Sequence, residues 1–365
     1  MTALKDHIVR RIGAEGPLGV DQYMAEALAH PELGYYMTGD PLGRAGDFVT
    51  APEVSQMFGE LIGLWCAHVW TQMDRPPLVH LVELGPGRGT LMADALRAAA
   101  GVEGFLSAAE AHLVEISPAL QKRQRRSLKV LAVPVSWHQR FAEVPDAPLL
   151  VIANEFLDAL PIRQFVRLGE DGADGWAERC VGLDDAGEGL AWVDRDGASP
   201  TDLPPALADA PEGALIEVSP QRSKIAAELA AAIAARGGGA LLIDYGHMIS
   251  APGDTLQAVK GHRYHDVLAD PGAADVTAHV DFAAIAAAAM QAGARVSGPL
   301  TQGAFLTALG IEARAAQLRD GATPRQAGEI LEGLKRLIAP AEMGNLFKVM
   351  ALSNSRQPAP EGFAT

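Results

Sequence analysis

Cysteine is nearly absent: Cys66 and Cys180 are the only two in 365 residues. They lie far apart in apolar or mixed surroundings, so neither a disulfide framework nor a thiolate metal cluster is supported. That points to a reducing compartment. No apolar run reaches the roughly 18 residues of a membrane span. The first residues, MTALKDHIVRRIGAEG, also lack the apolar segment of a secretion signal; the expectation is a cytoplasmic protein. Basic residues are in deficit, 30 Lys and Arg against 45 Asp and Glu, for a formal charge of −15. Without a clustered basic face, nucleic acid is excluded from the expected partners. The chain has no Gly-Lys-Ser/Thr phosphate loop and no G-x-S-x-G elbow, which sets aside P-loop nucleotide hydrolysis and serine hydrolysis.

What is present is a core. Hydrophobic residues make up 48% of the chain, enough for one large domain or two. Residues 1–75 carry VDQYMAEALAH and VSQMFGELIGLWCAHVWTQM, apolar at three-and-four spacing, and predict a helical N-terminal cover. From residue 76 to about 355 short apolar runs alternate with helical ones, as in a doubly wound α/β sheet. Candidate strands cover 78–84, 111–116, 132–137, 148–154 and 239–246, and a last one, expected to be antiparallel, covers 345–352. Residues 170–210 read as an inserted β-hairpin with loops, 247–280 as a long polar loop and 300–340 as a helical insertion.

The stretch LVELGPGRGTL, 81–91, places Gly85, Gly87 and Gly89 where a buried strand turns into a helix, a ready ligand site. A dinucleotide fingerprint would need glycine where Thr90 stands. Glu83, just before the first glycine, would repel a pyrophosphate but suits S-adenosylmethionine, which carries a sulfonium and an ammonium and no phosphate. Glu115, ending the next strand, can accept hydrogen bonds from ribose hydroxyls.

Several blocks together resemble the class I methyltransferases related to MidA and to the mitochondrial complex I assembly arginine methyltransferases: HPELGYYM (30–37), GDFVTAPEVSQMFGELIG (46–63), VELGPGRGTLMAD (82–94), VEISPALQKRQ (114–124), ANEFLDALPIRQF (153–165), LLIDYGH (241–247) and MGNLFKVM (343–350). The resemblance implies a seven-stranded Rossmann-like methyltransferase core, S-adenosyl-L-methionine as cofactor, and a protein arginine as acceptor. The family's best-described acceptor lies in the large hydrogenase-like subunit of respiratory complex I.

The residues are chemically compatible with that activity. Asn154 stands where it could orient the methionine end of the cofactor or the acceptor. Glu155 and Asp158 would share one face if a helical turn begins there, a pair suited to grip a guanidinium; alternatively Asn154 and Asp158 merely cap a turn before Pro161. In the leader, Asp47, Thr50, Glu53 and Gln56 could form a lid over the cofactor or contact the acceptor, although a capping box alone explains Thr50 and Glu53. Trp137 and His138 fall where adenine would lie, or pack in the core. His262, His265 and Asp266 have metal-like spacing but read as a solvated loop, so no metal is expected. Two other classes stay open on sequence alone: a methyltransferase for a small molecule or another residue type, and a non-catalytic assembly chaperone.

Overall fold

A computed structural model describes residues 2–38, 50–129, 133–169, 175–201 and 203–363. Asp47 of the leader block, the first residue of the strand expected at 132 and residues 170–174 of the acidic insertion lie outside them.

Seven strands build the central sheet: β1 (Val79–Leu84), β2 (Ala109–Val114), β3 (Val135–His138), β4 (Leu149–Asn154), β5 (Gly238–His247), β6 (Arg295–Thr301) and β7 (Phe347–Ser353). Their order is β3-β2-β1-β4-β5-β7-β6, with Val280–Asp281 pairing beside the end of β5. β1 to β5 are parallel, and β7 runs antiparallel to both β5 and β6. β1 and β4 are buried at every position, as strands covered by helices on both faces must be. Alternate residues feed two cores: Leu81 and Leu150 face one, Val82 and Val151 the other. The order reverses between β1 and β4, so the crevice beyond their carboxyl ends is the natural ligand site.

Helix Gln56–Gln72 covers one face, burying Phe58, Ile62 and Trp65. It crosses helix Thr90–Ala99 at very short range, because Gly59 and Gly63 present no side chain there. A Cβ on Gly63 would stand 2.2 Å from the Ala95 carbonyl oxygen. The C-terminal insertion, helices Gln302–Ala308, Ile311–Arg319 and Pro324–Ile338, is clasped to the same helix by buried Glu60, which accepts from Arg314 Nε at 2.8 Å and Nη2 at 3.1 Å.

Two expectations change. The inserted hairpin, Trp176–Leu183 against Leu190–Ala198, is real, but it belongs to a five-stranded antiparallel sheet with Arg163–Arg167, Leu215–Val218 and Leu18–Gly19 of the leader. The polar loop 247–280 instead holds a small sheet, Gln257–Lys260 with Arg263–His265 and Asp275–Thr277. Its strands of three or four residues are too short to show a period. The GHRYHD stretch is thus partly strand, with His265 Nε2 3.1 Å from Asp270 Oδ2. Among the described residues no helix is long and apolar enough to cross a membrane.

Gly63→Ala should destabilise the fold by about 1–3 kcal/mol, since the added methyl meets backbone that cannot move alone. The check is a urea titration, where the midpoint should fall at unchanged slope; an unchanged midpoint would mean the two helices part easily.

Candidate active site

A cavity of about 910 Å³ opens at the carboxyl ends of β1, β2 and β4, toward the upper end of the roughly 300–1,000 Å³ usual for ligand sites. Its floor is the glycine turn. Gly85, Gly87 and Gly89 have φ of +62°, +52° and +80°, a left-handed run that residues with a Cβ adopt only under strain. A Cβ at Gly85 would also come within 2.9 Å of Phe156 Cδ2. Glu83 lines the cavity yet is only 3% exposed. Burial, with repulsion from Glu115 behind it, pushes its carboxyl from 4.5 up to about 8, while the Met92 backbone N–H pulls it down in part. Its Oε2 finds no hydrogen-bond donor among the described residues.

Glu115 also lines the cavity, and burial lifts its carboxyl to about 7. It is held by the Ser117 backbone N–H at 2.8 Å and by Gln124 Nε2 at 3.1 Å. Gln124, fully buried, donates from the same nitrogen to the Gly87 carbonyl at 2.8 Å and accepts from Trp137 Nε1 at 2.9 Å. An indole N–H only donates, so Trp137 fixes which way the amide points. Trp137 and His138 themselves do not line the cavity. The expectation that they flank adenine is corrected: Trp137 packs under the Arg125 guanidinium, 3.8 Å from its ring centre, and His138 turns to His112 at 2.9 Å. Gln139, Arg140, Phe141 and Ala142, just past the end of β3, take the place on the cavity wall.

Beyond β4 the chain turns rather than coiling into a helix. Glu155 has φ +49°, a position where a non-glycine residue is strained and must be held by its surroundings. Half-buried, it projects into the cavity, where Oε1 accepts from the Ala51 backbone N–H at 2.9 Å and from Asn154 Nδ2 at 3.2 Å. Burial raises its carboxyl to about 7. Asn154 lines the cavity too, its Oδ1 buried without a partner among the described residues. Asp158 does not share that face. It points inward, toward Tyr245, Arg222 and Asp244, because the intervening turn breaks the helical spacing on which the pairing depended.

Two residues outside the sequence reading hold this turn. Asp244 accepts from the Leu157 and Asp158 backbone N–H groups at 2.9 and 3.1 Å. Arg222, 4% exposed, donates to the carbonyls of Leu157 (2.7 Å), Asp158 (3.0 Å), Ala278 (3.0 Å) and His279 (2.6 Å). A cation in the first turn of helix Pro220–Arg236 opposes the helix dipole, which is the signal the sequence did offer.

Thr50 lines the cavity as N-cap of helix Ala51–Val54, but its side chain makes no capping bond. The expected capping box is absent, because Glu53 reaches across to Thr90 Oγ1 at 2.5 Å and lies 3.9 Å from Arg88. The leader segment is thereby fastened to the glycine turn. Gln56 instead bonds Glu60 at 3.0 Å.

A family model described as S-adenosyl-L-methionine-dependent methyltransferase matches residues 61–300. The chain belongs to this methyltransferase family. Among curated relatives, the protein arginine methyltransferase NDUFAF7, mitochondrial, of Danio rerio is 37% identical over 97% of this chain and 87% of its own. The Homo sapiens protein of that name is 35% identical over 96% and 83%. A superfamily member from Burkholderia thailandensis solved with bound S-adenosyl-homocysteine superposes with TM-score 0.86 at 33% identity, covering 99% of this chain and 94% of its own. The mitochondrial relatives correct the expectation of a cytoplasmic protein. Scarce cysteine and the lack of a secretory segment speak only of redox state and secretion, and do not tell one reducing compartment from another.

S-adenosyl-L-methionine is the cofactor of this methyltransferase, and the residues present fit it. Glu83 Oε2 and Asn154 Oδ1 are buried acceptors lacking donors among the described residues, a costly state unless a ligand supplies them. A cationic sulfur nucleoside with an ammonium group does; a phosphorylated ligand would face the acids instead.

Two predictions come from this geometry. Gln124→Met should weaken cofactor binding about 10-fold, roughly 1.4 kcal/mol, by releasing Glu115 and the Gly87 turn; isothermal titration would show it, and unchanged affinity would make Gln124 a bystander. Glu83, raised above its unfolded value, favours the fold at low pH and loses that contribution as pH climbs from about 4.5 through about 8. The ligand-free protein should therefore melt lower at pH 8 than at pH 6, and Glu83→Gln should flatten the slope.

Proposed function

We propose that this methyltransferase modifies an arginine side chain of a protein. One observation carries the reading: Glu155, strained into the cavity by its left-handed backbone, has one oxygen engaged by Ala51 and Asn154 while no bond to the other is formed among the described residues. The lining as a whole is acidic, with Glu53, Glu83, Glu115, Glu155 and Glu228 against Arg88, Arg140 and Lys224. A guanidinium is a permanent cation with donors in a fixed fork, which a half-desolvated carboxylate grips in one orientation. The relatives' shared name, protein arginine methyltransferase, supports the same acceptor. On family resemblance, the acceptor protein is the large hydrogenase-like subunit of respiratory complex I.

Bound S-adenosyl-L-methionine supplies an electrophilic methyl on a cationic sulfur. The chain's part is positioning and proton handling. Glu155 Oε2 accepts from the guanidinium, turns one nitrogen toward the cofactor end of the cavity and takes up the proton that the nitrogen sheds as its bond to carbon forms. The acceptor wall is built from helix Val20–Ala29, the turn Phe156–Pro161 and the start of helix Pro220–Arg236. We take residues 1–75 as the cover of this cleft and 76–355 as the catalytic core.

The decisive experiment incubates the protein with radiolabelled S-adenosyl-L-methionine and lysate of a strain lacking it, followed by mass spectrometry of the labelled band. Label on a residue other than arginine, or on a small molecule, ends the proposal. Glu155→Gln should lower transfer about 10²-fold, the worth of a charge-assisted contact, with cofactor affinity nearly unchanged. At saturating cofactor, kcat/KM should rise with pH through about 7 as Glu155 ionises, and that limb should vanish in the variant.

A further inference from the structure

At the opposite end of the sheet from the cofactor cavity, three side chains from β1 and β2 converge. His80 pairs in register with Glu110 on the neighbouring parallel strand, and His112, two residues on, projects from the same face. Glu110 Oε2 lies 3.7 Å from His80 Nε2 and 3.9 Å from His112 Nε2, and the three ligand atoms all fall within 4.8 Å of one another. Both histidines are almost wholly buried, at 2% and 3% exposure, while Glu110 is partly open to solvent.

The hydrogen-bond pattern decides what these atoms are. His80 Nδ1 lies 3.1 Å from the Pro145 carbonyl, which can only accept, so Nδ1 carries a proton and Nε2 is the nitrogen turned toward Glu110. His112 Nδ1 is 2.9 Å from His138 Nε2, and its own Nε2 is buried with no partner among the described residues. Two imidazole nitrogens and a carboxylate oxygen therefore face one another, and the His112 nitrogen has no hydrogen-bond partner among the described residues. A cation at their centre would engage all three. Metal-bound histidines characteristically donate their other ring N–H to a carbonyl or a similar acceptor, as His80 does here.

We propose that His80 Nε2, His112 Nε2 and Glu110 Oε2 bind a divalent transition-metal ion, Zn²⁺ by preference, with the fourth position open to water on the Glu110 side. Mixed nitrogen and oxygen ligation suits that ion, whose bonds of about 2.0–2.2 Å put tetrahedral ligands roughly 3.4 Å apart; the two separations to Glu110, 3.7 and 3.9 Å, need to close by only a few tenths of an ångström. The ion would pin β1 to β2, the two strands whose far ends carry Glu83 and Glu115.

The test uses the full-length chain without a histidine tag, stripped with chelator and titrated with ZnCl₂ and, for its visible spectrum, CoCl₂. One equivalent should bind, with a tetrahedral cobalt spectrum and a raised melting temperature. Affinity should fall more than about 100-fold in His112→Leu and at least about 10-fold in Glu110→Gln. Glu110 is half-exposed, so its variant remains informative if His112→Leu does not fold. His30→Ala, in the separate group of His7, Glu26 and His30, should leave uptake unchanged. No uptake by the wild type, uptake intact in Glu110→Gln, or uptake lost in His30→Ala would each overturn the proposal.

Discussion

Negative charge held away from water is what the rest of this molecule is arranged around. Glu83, Glu115, Glu155, Asp158 and Asp244 all gather near the carboxyl ends of neighbouring strands, and burial raises every one of them. Such a cluster is tolerable only when each acid is neutralised, hydrogen-bonded or met by a cation. Asp158 and Asp244 meet Arg222; Glu115 meets Gln124 and the backbone of Ser117; Glu155 meets Ala51 and Asn154 through one oxygen, and Glu83 keeps Oε2 without a donor among the described residues. The cost of desolvating them falls when a cation enters the cavity, as S-adenosyl-L-methionine would bring.

The cavity-lining residues are braced by others that do not line the cavity themselves. Gln124 joins three elements at one amide, and Trp137 sets its orientation. Arg222 binds only carbonyl oxygens, yet it closes the turn on which Glu155 stands. Positions of this kind explain how a strained backbone at Glu155 persists: the turn is overdetermined from beneath by Arg222 and Asp244.

The sheet was legible because parallel strands buried on both faces must be short apolar runs between helices, and β1, β2, β4, β5 and β7 read that way. The glycine turn and its two acids were legible from the charge of the ligand they suit. Asp158 was misread because three-residue spacing means a shared face only inside a helix, and the left-handed Glu155 breaks it. Trp137 and His138 were misread because the cavity wall begins only where β3 stops. Gln124 left a faint trace, as the polar partner of Leu120 on the one buried stripe of an otherwise charged helix. The short sheet within 247–280 left none, since strands of three residues carry no alternation.

The helix Ala51–Val54 touches both halves of the reaction cleft: its first backbone N–H is bonded to Glu155, and its third residue, Glu53, is bonded to Thr90 above the glycine turn. One short hinge-like piece is thus latched at two places that serve different molecules. The two bonds lie toward opposite ends of a segment only four residues long, so a displacement at either latch would be passed directly to the other.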